Sequence, residues 1–259
     1  MSRTVPALSA IALALACGQA TAAPGAVHYD YAIYVGGAQV AEFKVAIARD
    51  GAGYRIASGV DLVGLAAMMS DWTARSAAEG RMVDGRLVPD SYVSSSLFRG
   101  EDRTVDLAYA DGAVIRVVAE PSTEEDERDA VTPEQSRGAV DPLTAFLQTA
   151  LSPQDCGGDR RLFDGRRLSA MQVLGTEPAE APETDYGIYA GPATLCTFTL
   201  NRIAGYSRRF ETEQARNEDW AVWLADLGDG LAMPVRIEGE TAWGMLRGHI
   251  VRYGPVAGE

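Results

Sequence analysis

The chain has 259 residues, 47% of them hydrophobic, with a formal net charge of −13 and a pI of about 4.6. This length suits one large all-β domain or two small ones. The acidic balance argues against a nucleic-acid partner, because a phosphate backbone needs a basic face, and it weakens the case for general adsorption to anionic lipid.

The N-terminus has the pattern of a secretory signal peptide. Arg3 precedes the apolar stretch Val5–Ala16, which is too short to span a bilayer, and Ala20-Thr21-Ala22 fits an A-x-A cleavage site. We expect residues 1–22 to be removed by cleavage near Ala22 or Ala23. Export to the periplasm follows, with residues 23–259 forming a single mainly β domain.

Cys17 leaves an alternative open at this end of the chain. The run Ala14-Leu15-Ala16-Cys17 fits a lipoprotein signal, in which the cysteine is lipidated, except that leucine stands one position out of place. Cleavage downstream would instead discard Cys17. No later run is long and apolar enough for a transmembrane segment.

The alternating pattern of a β-strand begins shortly after the predicted signal peptide. Val27, Tyr29, Tyr31, Ile33 and Val35 alternate with other residues, and the chain turns at the glycine pair that follows. Most of five Asp-Gly dipeptides lie between similar runs, and Asp-Gly suits the type I′ turn of a β-hairpin. They are Asp50-Gly51, Asp84-Gly85, Asp111-Gly112, Asp164-Gly165 and Asp229-Gly230. The series predicts about a dozen strands in antiparallel hairpins.

The segment Asp61–Arg75 interrupts the strands. Leu62, Leu65, Ala66 and Met69 have helical spacing, which predicts a short helix with Asp61 as its N-cap and Trp72 after it. Met68 and Met69 are soft apolar side chains suited to adaptable hydrophobic binding. The alternative is that this helix plugs the end of a barrel.

Residues 120–139 form the clearest internal boundary. The stretch is acidic and nearly free of large apolar side chains, so we expect a solvated or partly disordered loop. Asp141 then caps a second helix, with Pro142 at its first position and an apolar stripe that includes Leu143 and Leu147. The loop lacks the alternating acidic pattern of a calcium-binding loop, so we expect no metal there.

The second half of the chain holds the remaining cysteines. Cys156 and Cys196 are an even pair in an exported protein, which predicts one disulfide, the alternative being a reactive thiol. We expect a Pro- and Glu-rich loop over Gly175–Asp185 and a long strand over Tyr186–Asn201.

Motifs for catalysis are missing. The two histidines, His28 and His249, are widely separated, and the chain has no H-E-x-x-H, C-x-x-C, G-x-S-x-G or phosphate-binding glycine motif. We therefore expect no cofactor and no metal site. A hydrolase with an unrecognised site remains a third-ranked alternative, in which His249 would serve as the base.

Arginine pairs and aromatic side chains are the candidates for ligand binding. Arg160-Arg161, Arg166-Arg167 and Arg208-Arg209 stand out in an acidic chain: inward arginines would grip a phosphate or carboxylate, whereas the plainer interpretation is that they balance nearby carboxylates such as Asp164. Tryptophans line an apolar cavity or belong to the core. The predicted ligand-binding residues are Leu65, Met68, Met69, Trp72, Arg166, Arg167, Trp220, Trp223 and Trp243.

The order of several short motifs resembles the family of exported bacterial proteins known as DUF3108, a domain of unknown function. The motifs are Tyr31-x-Ile33-Tyr34-Val35-Gly36-Gly37, Glu79-Gly80-x-x-x-Asp84-Gly85-x-Leu87-x-Pro89-x-x-Tyr92, Asp141-Pro142-Leu143-Thr144-Ala145, Cys156, Phe163-Asp164-Gly165-Arg166-Arg167 and Cys196. The resemblance implies an architecture similar to periplasmic lipoprotein carriers: a large curved antiparallel sheet, or open half-barrel, with the two short helices packed on its concave side. It implies no activity.

Three functions are compatible with these observations. The first is a non-catalytic binding or carrier module for an amphipathic or lipid-like ligand, because an open half-barrel leaves an apolar hollow. The second is a structural or assembly protein of the envelope, with envelope proteins as partners and a barrel filled by its own helices. The third is the hydrolase.

Overall fold

A computed structural model of the chain describes residues 25–98, 100–207, 218–241 and 244–256. In these residues thirteen strands form one antiparallel sheet that does not close into a barrel, accompanied by two α-helices. The prediction of a mainly β, curved-sheet fold is confirmed. The predicted signal peptide 1–22 with Cys17, the pair Arg208-Arg209, and Trp243 lie outside the described residues.

The strands are β1 Val27–Val35, β2 Ala38–Asp50, β3 Gly53–Leu62, β4 Thr73–Val83, β5 Arg86–Phe98, β6 Glu101–Ala110, β7 Ala113–Glu120, β8 Arg160–Phe163, β9 Leu168–Ala181, β10 Gly191–Ala204, β11 Glu218–Asp226, β12 Ala232–Thr241 and β13 Gly244–Pro255. The helices are α1 Gly64–Met69 and α2 Pro142–Leu151, and a 3₁₀ turn follows at Pro153–Asp155. Within the described ranges, no helix has the length and apolar character needed to cross a membrane.

The sheet is a meander whose first and last strands meet in its middle. Its order is β7-β6-β5-β4-β3-β2-β1-β13-β12-β11-β10-β9-β8, and β1 pairs with β13 through partners such as Tyr31 and Ile250. The two edges are therefore β7 and β8, and residues 121–159 connect them. Because these edges are not hydrogen-bonded to each other, side chains and loops must bridge the opening between them.

The core lies between the inner face of this sheet and α2. Tyr29, Ile56 and Leu107 from the sheet and Leu147 from α2 belong to one buried cluster. At the lower end of the sheet the backbone N–H of Leu87 donates to Oε1 of Gln148 at 2.8 Å, which ties α2 to the turn between β4 and β5. The upper end is the opposite one, where β3 leads into α1 and β5 turns into β6.

The first helix differs from the prediction in its cap and in its packing. Asp61 is not the N-cap, because β3 continues through Leu62 and α1 begins only at Gly64, after Val63. Asp61 instead accepts a hydrogen bond from Arg75 at 2.7 Å. Helix α1 has no buried residue, so α2 alone fills the concave side among the described residues.

The predicted loop at Gly175–Asp185 is largely strand. Strand β9 runs to Ala181 and pairs with β10 along its length, whereas the predicted strand start at Tyr186 is too early because β10 begins at Gly191. The short β8 covers only Leu168–Met171 of β9. Beyond Met171, β9 has no second strand partner among the described residues, and an edge strand tolerates proline because it does not need every N–H for pairing.

The predicted disulfide is present and joins Cys156 to Cys196 across 40 residues, with a Cα–Cα distance of 5.8 Å. Both cysteines are fully buried and pack with Val222 and Leu224 in a second apolar cluster. The bond therefore anchors the segment after α2 to the sheet, close to the edge formed by β8 and β9.

Asp141 caps α2 as predicted, from a fully buried position. Its carboxylate accepts from the backbone N–H of Thr144 at 2.8 Å and from the Thr144 hydroxyl at 2.6 Å, and Tyr54 contacts that hydroxyl at 2.7 Å. Burial raises the pKa of Asp141 to about 6, although the Thr144 hydrogen bonds oppose that rise. Burial thus favours a protonated carboxyl in the folded state, whereas the capping hydrogen bonds favour the ionised form.

The raised pKa predicts a specific pH dependence of stability. A carboxyl whose pKa is higher in the folded state stabilises the fold below its unfolded value near 4, and this contribution is lost as the pH rises through about 6, by up to roughly 3 kcal/mol. Asp141→Asn keeps a capping oxygen but cannot ionise.

Urea unfolding between pH 4 and pH 7.5 measures this effect as the difference between the two proteins. The stability of the wild type should decline relative to Asp141→Asn across this range. Parallel pH profiles for the two proteins would show that Asp141 does not titrate as described.

Candidate functional site

A pocket of about 620 Å³ opens at the upper end of the hollow. It exists because the inner face of β4 and β5 carries small side chains there, whereas the same strands carry larger buried residues lower down, such as Tyr92. The small residues are Ala74, Ser76, Ser94 and Ser96. Helix α2 fills the lower part of the hollow and leaves this upper part open.

One wall of the pocket is a cluster of arginines around a single carboxylate. Asp126 accepts from Arg103 at 2.6 Å and from Arg128 at 2.5 Å, and Arg166 lies 3.6 Å away. Although burial opposes ionisation, the hydrogen bonds from Arg128 and Arg103 hold the pKa of Asp126 below its usual value. Asp126 belongs to the acidic segment 120–139, so the expectation of a solvated or disordered loop is wrong for this residue, whose side chain is only 9% exposed.

Arg166 bridges the opening between the two edges of the sheet. Its guanidinium donates to the carbonyl oxygens of Pro121 at 2.8 Å and Glu120 at 2.7 Å, and more weakly to that of Thr104 at 3.4 Å. Arg166 itself sits in the turn between β8 and β9, so these bonds connect one edge of the sheet to the end of β7. The side chain is 9% exposed, so Arg166 is a buried hydrogen-bonded link between the two edges of the sheet.

The turn that carries Arg166 packs closely against β6 at Gly165. Gly165 has a φ of +87°, and a Cβ at this position would lie 2.2 Å from Cγ1 of Val105. Asp164 stabilises the turn by accepting from the backbone N–H of Arg167 at 2.7 Å and from its Nε at 2.8 Å. The interpretation that arginines balance nearby carboxylates therefore describes Arg167, while Arg166 pairs mainly with backbone carbonyls.

Apolar groups surround the mouth. Trp72 and Phe98 line the pocket at its upper edge, and the backbone N–H of Gly100 donates to Asp71 at 2.9 Å, which joins the β5–β6 turn to the segment after α1. Leu65, Met68 and Met69 of α1 are 74%, 83% and 87% exposed. These side chains are too exposed to plug the hollow, and they lie at the same end of the sheet as the mouth.

Trp220 and Trp223 are not among the described residues that line this pocket. Trp220 faces Gly239 across the β11–β12 pair, and its ring occupies the space that a Cβ at residue 239 would need. Trp223 pairs with Arg236, whose guanidinium lies 5.4 Å from the ring. Of the predicted ligand-binding residues, the structure brings Trp72, Arg166 and Arg167 together at the pocket and places Leu65, Met68 and Met69 at its end of the sheet.

His249 lies on the outer face of the sheet. Its β-sheet partner on β12 is Arg236, and its ring centroid lies 5.8 Å from that of Tyr186. The next residue, Ile250, points into the core, so His249 points to the opposite face. A hydrolase that used His249 as its base would therefore need its site on the outer face, away from the pocket. In the described ranges, no group of three or more His, Cys, Asp or Glu side chains is arranged to hold a metal ion.

Several pocket residues escaped the sequence analysis. Arg103, Asp126 and Arg128 carry no motif, and they meet only because the segment after β7 folds back over β6. A weak signal for the floor was present in the sequence: Ser94 and Ser96 are small side chains on the same face of β5, and Ala74 and Ser76 are small side chains on the same face of β4.

The solved structures to which this chain is similar do not identify a function. A beta-barrel-like protein of the domain of unknown function DUF1849 from Brucella abortus superposes with a TM-score of 0.54 at 10% identity, covering 90% of this chain and 99% of that one. A protein with a YmcC-like fold from Bacteroides fragilis gives a TM-score of 0.38 at 10% identity, covering 90% and 96%. A hypothetical protein from Chlamydia trachomatis gives 0.33 at 10% identity, covering 92% and 91%.

No family model matches the chain, and no curated protein is similar to it. The resemblance to DUF3108 is therefore not confirmed. The Brucella abortus structure establishes a shared fold only, because its identity to this chain is 10%.

Proposed function

We propose that this protein is an exported, non-catalytic binding or carrier module for an amphipathic, lipid-like ligand. The observation that carries the proposal is the pocket at the upper end of the hollow, which has a polar wall inside and apolar side chains at its mouth. A ligand with a polar head and an apolar chain would place its head against the polar wall and its chain along the apolar side chains of the mouth. The buried Cys156–Cys196 disulfide supports export, because disulfides persist in oxidising compartments.

The size of the pocket limits how such a ligand would sit. Its volume of about 620 Å³ is within the range of roughly 300–1,000 Å³ that is common for small-molecule sites. This space holds a head group and part of a chain. The remainder of a long chain would pass Trp72 and Phe98 and lie against the exposed side chains of α1, which would shield both from water.

Filling the pocket should abolish lipid retention. Ser94 lines the pocket, whereas its neighbour Ser95 is exposed on the other face of β5. Ser94→Trp should therefore occupy the space of the ligand, and Ser95→Trp adds the same side chain outside it. Delipidated wild type, incubated with an envelope lipid extract and examined by native mass spectrometry, should retain lipid, as should Ser95→Trp.

Ser94→Trp should lose most of that lipid while keeping the far-UV circular dichroism of the wild type. Absence of retained lipid on the wild type would contradict the proposal. Equal retention by both variants would place the lipid elsewhere on the molecule.

A second candidate is a structural or assembly protein of the envelope whose hollow is filled by its own chain. One observation favours it: α2 already occupies the lower half of the hollow through Leu143 and Leu147. This function needs no ligand in the upper pocket. A wild type that binds no lipid but is recovered in a defined complex with another envelope protein would support it.

A further inference from the structure

Three guanidinium groups surround one carboxylate in the arginine cluster of the pocket. Arg103, Arg128 and Arg166 have side chains that are 22%, 16% and 9% exposed, and all three lie within 3.6 Å of the single carboxylate of Asp126. Glu101 pairs with Arg103 at 3.3 Å from a position that is 68% exposed, so it offsets one of these charges only from the solvent side. Over the whole pocket, the described lining residues include four arginines and five carboxylates, so the excess is confined to the surroundings of Asp126.

The cluster also has unused donor capacity. Nε of Arg103 is buried and has no hydrogen-bond partner within the described residues. A buried donor without a partner is costly, by about 1–3 kcal/mol or more for a charged group, unless another group satisfies it. The hydroxyl groups of Ser76, Ser94 and Ser96 line the same pocket as Arg103.

Further carboxylates line the pocket outside this cluster, so the excess of guanidinium groups is local to Asp126. Asp164 pairs with Arg167 at 2.8 Å. Glu125 accepts from the backbone N–H of Ser122 at 2.8 Å and from its hydroxyl at 2.7 Å. Glu127 also lines the pocket, in the loop that carries Asp126.

We propose that the pocket binds an anionic head group, a phosphate or a carboxylate, through Arg103 and the serine hydroxyls of β4 and β5. This rests on the proposed function and specifies its ligand class. Guanidinium groups recognise planar or tetrahedral oxyanions through paired, charge-assisted hydrogen bonds. The head group lies against Arg103, and the apolar chain leaves the pocket between Trp72 and Phe98.

Four amphiphiles with the same twelve-carbon chain test this assignment. Dodecyl phosphate and dodecanoate are anionic, dodecyl maltoside is neutral, and dodecyltrimethylammonium is cationic, and each is titrated below its critical micelle concentration. The two anionic probes separate phosphate from carboxylate recognition. At least one of them should bind the wild type about ten- to hundredfold more tightly than dodecyl maltoside, because hydrogen bonds to charged groups are involved.

The matched variants are Arg103→Met and Arg116→Met. Arg116 pairs with Asp106 at 2.8 Å on the neighbouring strands, with a side chain that is 53% exposed. Arg103→Met leaves Asp126 paired with Arg128, and it should weaken binding of the anionic probe about tenfold or more while leaving maltoside binding unchanged. Arg116→Met should bind all four probes like the wild type.

A measurement on the wild type alone covers the case in which Arg103→Met fails to fold. Raising the salt concentration should weaken binding of the anionic probe and leave maltoside binding unchanged, because salt screens charge. Equal affinity for anionic, neutral and cationic probes would overturn the anionic assignment and leave the proposed function standing. Failure of every probe to bind would contradict the proposed function itself.

Discussion

Replacing both Cys156 and Cys196 by alanine should lower the free energy of unfolding by about 4 kcal/mol and the melting temperature by roughly 10 °C. The bond closes a loop across 40 residues, and a cross-link of this length removes much of the conformational freedom of the unfolded chain. That loop contains the short edge strand β8 and the turn with Arg166. Release of the bond should therefore loosen this edge of the sheet first.

Far-UV circular dichroism and thermal unfolding, with and without reductant, measure the effect. The wild type under reducing conditions should approach the melting temperature of the double variant, while the double variant should not respond to reductant. Secondary structure at 25 °C should be retained, since the main buried cluster between the sheet and α2 contains neither cysteine. A wild-type melting temperature that is unaffected by full reduction would contradict the stabilising role of the bond.

Arg166→Met should destabilise the fold by about 3 kcal/mol or more, because it removes the guanidinium donor from partly buried hydrogen bonds to backbone carbonyl oxygens and takes a positive charge from Asp126. The carbonyls of Glu120 and Pro121 accept from this guanidinium at 2.7 and 2.8 Å. Among the described residues these bonds tie the β8–β9 turn to the end of β7. Urea unfolding should show the loss as a lower midpoint.

The neighbouring Arg167 supplies the matched control. Its side chain is 54% exposed and pairs with Asp164, and exposed ion pairs contribute about 0–1 kcal/mol. Arg167→Met should therefore cost about 1 kcal/mol or less. Equal destabilisation by the two variants would mean that the hydrogen bonds of Arg166 do not stabilise the contact between the β8–β9 turn and the end of β7.

The hairpin framework was predictable because it depends on local chemistry. Asp84 and Gly85 have φ values of 51° and 76°, and Asp111 and Gly112 have 50° and 75°, as the type I′ assignment requires. Asp50-Gly51, Asp164-Gly165 and Asp229-Gly230 differ, since in each of them only the glycine has a positive φ. The Asp164-Gly165 turn is set by its contact with Val105 and by Arg166, which are long-range effects that a dipeptide does not encode.

The incorrect predictions have physical causes as well. The Pro- and Glu-rich composition of Gly175–Asp185 suggested a loop, but a strand at the edge of a sheet accepts both proline and exposed glutamates. Helical spacing identified α1 but not its exposure, because periodicity says which residues share a face and not what covers that face. The helix has six residues, which is too few to reach the core from the upper end of the sheet.

The candidate site was partly visible in the sequence. Paired arginines and Trp72 marked two of its parts, while Arg103 and Asp126 carried no local signal because their meeting depends on how residues 121–139 return across β6. Pairing of β1 with β13 places the two ends of the described chain in the middle of the sheet. No periodicity along the sequence encodes that long-range pairing.

The most direct test of the account is a crystal structure of the protein grown with a saturating concentration of whichever anionic probe, dodecyl phosphate or dodecanoate, binds more tightly. We expect its head group within hydrogen-bond distance of Arg103 inside the upper pocket and its chain leaving between Trp72 and Phe98 toward α1. Binding of this probe on the outer face of the sheet, or a pocket occupied only by solvent at saturation, would contradict the account.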